Sequence, residues 1–238
     1  MDESARDPQA VPPADGPVWT IVLAAGSGRR YGSAPKQFEV LGGERVVDRS
    51  LAVARAAADH VVVVLAAGDE DVGAAMVASG AADIAVTGGE QRADSVRAGL
   101  SVVDDDAAVI VVHDAARPLA SAELHRSVVA AVRSGADAVI PAVAVTDTIK
   151  QVKHDERGRT IVVDTPDRSS LVAVQTPQAF RAELLRAAHA SGADATDDAA
   201  LVEVVGGTVT VVEGERTNLK ITSPDDLAIA HVLLGGLG

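Results

Sequence analysis

Cysteine is absent from the chain, which excludes disulfides, thiolate nucleophiles and cysteine-held zinc or iron–sulfur centres. Aromatic residues make up 2% of the sequence, one Trp, one Tyr and two Phe, too few for the stacking platforms of single-strand nucleic-acid binders. Basic residues are outnumbered 21 to 34, a formal net charge of -13, which argues against a nucleic-acid partner or an anionic membrane surface. No apolar run approaches the ~20 residues of a membrane span. The six histidines show no H-E-x-x-H or similar spacing, so a dedicated zinc site is not expected. Residues 1–17, MDESARDPQAVPPADGP, lack the basic start and apolar core of a signal peptide and read as a disordered tail. The expected location is cytoplasmic.

What is present is alanine and valine. Hydrophobic residues make up 47% of the 238, enough for a sizeable core. Short β-branched runs at Val18–Leu23, Val61–Leu65, Ile84–Val86, Val109–Val112 and Ala138–Pro141 alternate with helical stretches. The helices are expected over Val46–Ala58, Asp69–Ser79, Arg92–Val103 and Ser121–Ser134. This rhythm is that of βαβ units around a mostly parallel sheet, an α/β fold of three layers.

The rhythm breaks after Pro141. Strand-like runs at Asp147–Val152 and Thr160–Val163, joined by the charged turn KHDERGR, predict a protruding β-hairpin arm. Its apolar faces have no obvious partner within one chain, so the arm, 143–170, is expected to pack against a second subunit. Helices are expected again at Phe180–His189 and Thr196–Val204, then strands at Thr208–Val212 and Asn218–Ile221. Ser223 followed by Pro224 marks the start of a last helix. The single domain is thus expected to occupy 18–238.

Three motifs sit at strand ends, where ligands bind in open α/β sheets. The first is LAAGSGRRYGSAPKQ, with Ala24, Ala25, Gly26 and Gly28 followed by Arg29, Arg30 and Lys36. It is not a dinucleotide fingerprint, because Tyr31 stands where a third glycine is needed, nor is it a P-loop. Small residues let backbone N–H groups approach phosphates or a base edge. A cation about 4 Å from a phosphate is worth on the order of 4 kcal/mol at an effective dielectric of ~20, so a local cluster outweighs a diffuse acidic excess. The alternative is an ordinary tight turn with solvated arginines.

The second motif is Gly88-Gly89-Glu90-Gln91-Arg92-Ala93-Asp94-Ser95, where Arg92 can brace the loop and Ser95 offers a hydroxyl near a helix start. A plain helix entry is the alternative. The third, His113-Asp114-Ala115-Ala116-Arg117-Pro118, places an acid suited to Mg²⁺, which takes one or two carboxylates plus substrate phosphates. Asp114 could instead pair with Arg117, and His113 reads as a structural hydrogen-bonder. Thr148, Lys150, Arg168, Thr176 and Lys220 are further candidates. Asp104–Asp106 reads as a solvated loop, and Thr196-Asp197-Asp198 as a helix cap.

Taken in order, LAAGSGRRYGSAPKQF, GGEQRADSV, HDAARP, VTDTIK, TPDRSSLVAVQTPQAF, TDDAALVE and TNLKITSPDDL resemble the 2-C-methyl-D-erythritol 4-phosphate cytidylyltransferase family. The resemblance implies a Rossmann-like nucleotidyltransferase domain, a homodimer formed through the arm, and CTP, a sugar-alcohol phosphate and Mg²⁺ as ligands. By resemblance, Ala24, Ala25, Gly26, Gly28, Gly89 and Ser95 line the CTP pocket. Arg30 and Lys36 hold the triphosphate and Asp114 lies by the metal. Lys220 joins the catalytic set, and Thr148, Arg168 and Thr176 hold the second substrate. Thr217 stands where some relatives carry Asp. A ribitol 5-phosphate cytidylyltransferase and a nucleotide-binding regulator without catalysis are the rival readings. A fusion with the later cyclase of the same route is not expected.

Overall fold

The computed structural model describes residues 14–26, 35–191 and 197–236. Strand β1 (Val18–Leu23) is followed by a small hairpin, β2 (Val40–Leu41) and β3 (Glu44–Arg45), that leads into α1 (Val46–Arg55). Three βα repeats come next: β4 (His60–Leu65) and α2 (Glu70–Ala78), β5 (Ile84–Thr87) and α3 (Arg92–Leu100), β6 (Val109–Asp114) and α4 (Ala122–Arg133). Then follow β7 (Ala138–Ala144), the arm strands β8 (Gln151–His154) and β9 (Thr160–Asp164), β10 (Val172–Val174) and β11 (Gln178–Arg181). Helices α5 (Ala182–Ala190) and α6 (Asp198–Val204), strand β12 (Val209–Glu213) and helix α7 (Pro224–Gly236) complete the order.

The main sheet runs β10-β7-β11-β6-β1-β4-β5, with β12 on the other side of β7. Only β10 and β11 run antiparallel to their neighbours. Strand alternation sorts the side chains between two helical layers. Ile21, Val62, Val64, Ile110 and Phe180 pack with α3, α5 and α6. Val22, Val61 and Val63 face α1 and Met76 of α2, while Val111 and Val139 face α4. The chain moves outward from β1 to β4 and β5, then returns to β6 on the opposite side of β1. The crevice at this reversal, above the carboxyl ends of β1 and β6, is where such sheets bind ligands.

Four expectations are corrected. The segment from Ala14 to Pro17 is part of the fold, not of a tail: Ala14 is buried in the α4 layer, and the Pro17 carbonyl accepts from Ala108 N–H. Phe180 does not begin a helix. It is paired with Ile110 and Ala138 inside the sheet and is fully buried, because a gap between two strands outweighs the local helical pattern. Asn218–Ile221 forms no strand; it is a loop held by side chains and by Ile221 N–H donating to the Ala116 carbonyl at 2.8 Å. The arm's ladder is shorter than expected, starting at Gln151, and its turn closes on Asp155, whose carboxylate accepts from the N–H groups of Arg157 and Arg159 at 2.9 and 2.8 Å. The arm does project: Val152, Val162 and Val163 are exposed. Ser223 does cap α7, accepting from Asp226 N–H at 3.3 Å.

Phe180→Ala should cost about 3–5 kcal/mol of stability. In urea unfolding this appears as a lower midpoint at an unchanged m value; a midpoint equal to wild type would place Phe180 outside the core.

Candidate active site

A cavity of about 640 Å³ opens over the carboxyl ends of β1 and β6. One wall is Leu23–Gly26, set by Ala24 N–H donating to the Val64 carbonyl at 2.7 Å. Another is Gly89–Arg92 with Ser95 at the start of α3. The neighbouring glycine is sterically required: a Cβ on Gly88 would stand 2.6 Å from Ser95 Oγ and 2.7 Å from Ala25 Cβ. A side chain there would push the two walls apart. Gln91 and Asp94 form a capping box that fixes the helix entry. Lys36 and Gln37 close a third side.

Asp114 ends β6 and forms the floor, in register with Leu23 of β1. Its Oδ2 accepts from Lys220 Nζ at 2.6 Å, and its Oδ1 lies 3.6 Å from Arg92 Nε. Burial alone would raise its pKa, but Lys220, Arg92 and Arg117 outweigh burial and bring it down to about 2. Arg117 bonds Asp114 through the backbone alone, its N–H donating to the Asp114 carbonyl at 3.0 Å. Its guanidinium donates to the carbonyls of Asn218 at 2.9 Å and Val174 at 3.4 Å.

Lys220 comes from far along the chain, and a buried glutamine explains how it arrives. Gln175 Nε2 donates to the Glu215 carbonyl at 2.8 Å, and its Oε1 accepts from Glu215 N–H at 3.0 Å. Asn218 Nδ2 donates to the Thr176 carbonyl at 3.0 Å. These bonds fold the loop after β12 down onto the sheet, and the buried Ile221 anchors it there.

The structure brings Ala24, Ala25, Gly26, Lys36, Gly89, Ser95, Asp114 and Lys220 to one cavity. Gly28 and Arg30 lie outside the described residues. Thr176 sits beneath the cavity rather than on it: its Oγ1 accepts from Asp114 N–H at 3.0 Å and lies 3.2 Å from His113 Nδ1. Thr148 and Arg168 are exposed on the arm and do not line the cavity; Arg168 donates to the Thr146 carbonyl at 2.8 Å. Within the stretch expected to cap a helix, Asp197 caps α6, accepting from Ala200 N–H, while Thr196 lies outside the described residues. Sequence reading missed the partner of Arg92, which is Asp198 at 2.6 Å. The doubled acid at this helix start reads as ordinary capping, and nothing in it points to Arg92.

Among the described residues no group of three or more His, Asp or Glu could hold a metal ion. Asp114 offers one ionised carboxylate, which suits a cation that draws most of its ligands from phosphates and water. His113 and His125 stand edge to face with ring centroids 4.8 Å apart behind the floor. Burial holds His113 well below the usual histidine range, as does its neighbour His125; burial also brings His125 down to about 4.

Residues 18–236 match the family model for 2-C-methyl-D-erythritol 4-phosphate cytidylyltransferase. A protein of that name from Frankia casuarinae is 44% identical over 98% of this chain and 86% of its own. One from Rhodococcus jostii is 47% identical over 92% of this chain and 96% of its own. Among solved structures, a 4-diphosphocytidyl-2C-methyl-D-erythritol synthase from Anaerococcus prevotii superposes with a TM-score of 0.78 at 31% identity, covering 92% and 96% of the two chains. The cytidylyltransferase from Thermus thermophilus gives 0.74 at 33% identity, covering 90% and 98%.

The two buried histidines set a pH dependence. Each has a folded-state pKa below its unfolded value near 6.5, so the unfolded chain takes up the proton first. The contribution of His125 is complete above about pH 6.5 and is lost as pH falls toward 4, and that of His113 is lost in the same direction, at about 1.4 kcal/mol per pH unit per proton. Urea midpoints between pH 7 and pH 4 should show this slope, and His125→Leu should flatten it by about one proton. An unchanged slope would contradict the buried, neutral state.

Proposed function

The chain belongs to the 2-C-methyl-D-erythritol 4-phosphate cytidylyltransferase family, and from that premise we propose that the cavity above β1 and β6 transfers CMP from CTP to 2-C-methyl-D-erythritol 4-phosphate. The products are 4-diphosphocytidyl-2-C-methyl-D-erythritol and pyrophosphate. The observation that carries this reading is the convergence of Lys36, Lys220, Arg92 and Asp114 on one cavity beside a small-residue loop. The relatives' names favour methylerythritol phosphate over ribitol 5-phosphate as acceptor.

In the proposed reaction a phosphate oxygen of the acceptor bonds to the α-phosphorus of CTP, and the bond from that phosphorus to the bridging oxygen of the β-phosphate breaks. Pyrophosphate carries away the electron pair. A phosphate monoester has a second pKa near 6 and is mostly dianionic at neutral pH, so no side chain has to remove a proton. That accords with a site built of cations. The small residues Ala24, Ala25 and Gly89 allow backbone groups to approach the nucleotide, and Ser95 adds a hydroxyl. Lys36 and Lys220 align the reacting groups and stabilise the charge that develops at phosphorus and on the leaving group. Asp114 holds Lys220 toward the cavity and would hold Mg²⁺ together with the nucleotide. When bound, Mg²⁺ would neutralise part of the triphosphate charge.

The arm's exposed valines support a homodimer, in which Thr148 and Arg168 of one subunit would reach the acceptor site of the other. CTP and sugar-alcohol phosphates are highly charged and do not cross membranes unaided, which favours the cytoplasm as the place of action.

Pyrophosphate release from CTP and methylerythritol phosphate is the direct assay. Wild type should prefer this acceptor to ribitol 5-phosphate and should stop when Mg²⁺ is chelated. Lys36→Ala should lower kcat by about 100-fold or more with little change in urea midpoint. Turnover at the wild-type rate in that variant would remove Lys36 from the mechanism. The dimer predicts a solution mass near twice the 24.1 kDa chain, reduced by Val162→Asp; a monomeric mass for the wild type would refute it.

A further inference from the structure

A carboxylate sealed into the protein behind the cavity has no part in the mechanism so far. Asp198 opens α6, and its side chain is 1% exposed. It is not the helix cap, because Asp197 fills that role at 2.8 Å from Ala200 N–H. Its Oδ2 accepts from Arg92 Nη1 at 2.6 Å, and its Oδ1 lies 3.0 Å from His189 Nε2. Arg92 opens α3, lines the cavity, and places Nε 3.6 Å from Asp114 Oδ1. Asp198 and Asp114 thus hold the guanidinium from two sides, across a sequence gap that no local pattern reveals.

Stability alone does not account for the arrangement. A buried ion pair is costly to desolvate, and a well-packed apolar pair of similar volume is often no less stable. A guanidinium gripped at one nitrogen has its remaining N–H groups fixed in direction, a planar fork that lysine cannot copy. Fixed donors at the rim of a phosphate-binding cavity cost no reorganisation during reaction.

We propose that Asp198 is a positioning residue: its bond to Arg92 fixes the guanidinium on the cavity wall beside Asp114, where the remaining N–H groups meet a phosphate of the bound substrates. The proposal rests on the cytidylyltransferase reading.

The test joins kinetics to a spectroscopic measurement on the full chain. Pyrophosphate release from CTP and methylerythritol phosphate is measured for wild type, Asp198→Asn, Arg92→Lys and the double variant. Each single variant should lose about 10–100-fold in kcat/KM, and the double variant should lose no more than the worse single one. His189→Gln, whose amide can still donate to Asp198, should stay within about threefold. A role confined to the packing of α5 on α6 would make it as harmful as Asp198→Asn. In ¹⁵N spectra the Arg92 Nε–H signal, identified by its loss in Arg92→Lys, should exchange slowly with solvent in wild type and rapidly in Asp198→Asn. Unchanged kcat/KM in Asp198→Asn, additive losses in the double variant, or an Arg92 signal indifferent to the substitution would each overturn the proposal. A wild type that releases no pyrophosphate would defeat the cytidylyltransferase reading instead, and the spectra would then decide the positioning alone. Should Asp198→Asn not fold, Asp198→Glu, which keeps the charge but displaces the carboxylate, is judged by the same criteria.

Discussion

The ionised carboxylate of Asp114 is the point on which the site depends. It stands at the end of β6, next to the reversal of strand order, in a position that would ordinarily favour the neutral acid. Lys220 at 2.6 Å and the more distant guanidinium of Arg92 keep it charged. In return Asp114 draws both cations toward the cavity. Without the acid, two cations would face each other across a crevice in a low-dielectric wall, and their repulsion would drive them toward solvent. A net charge of -13 over the whole chain matters little here, because exposed acids beyond a Debye length are screened while the partners of Asp114 are in contact with it.

Around this ion pair lies a layer of polar groups that face inward rather than toward substrate. Thr176 Oγ1 receives Asp114 N–H and approaches His113; Gln175 receives and donates to the loop that carries Lys220. Such buried networks are stable when their members are paired, and they fix one arrangement over others. Four separate stretches of chain meet at the site: the end of β6, the segment between β10 and β11, the start of α3, and the loop before α7. The site is therefore assembled by the whole domain, not by a single loop.

Much of the fold was legible in the sequence. Runs such as Val61–Leu65 and Val109–Val112 are too apolar to face water on either side, and the amphipathic stretches between them leave a parallel sheet with two helical layers as the economical solution. The small-residue loop at Ala24–Gly26, the glycine pair before α3 and the acid ending β6 were legible because strand ends in such sheets converge in space. Phe180 reads locally as the start of a helix because its neighbours favour helix, whereas the space between β6 and β7 demands a strand. The loop holding Lys220 resembled a strand for the opposite reason: its Leu and Ile are apolar in alternation, yet no neighbouring strand was available to pair with them.

By itself, the sequence determined the layered α/β architecture, the projecting arm and the residue types that gather at the strand ends, since each follows from short-range periodicity and from steric limits on glycine and proline. The tertiary structure decided which charges meet. Asp198 and Arg92 are 106 residues apart, as are Lys220 and Asp114, and nothing in either local pattern marks the other. Pairing over such distances is set by the packing of helices and loops on a common sheet, a property of the folded chain as a whole.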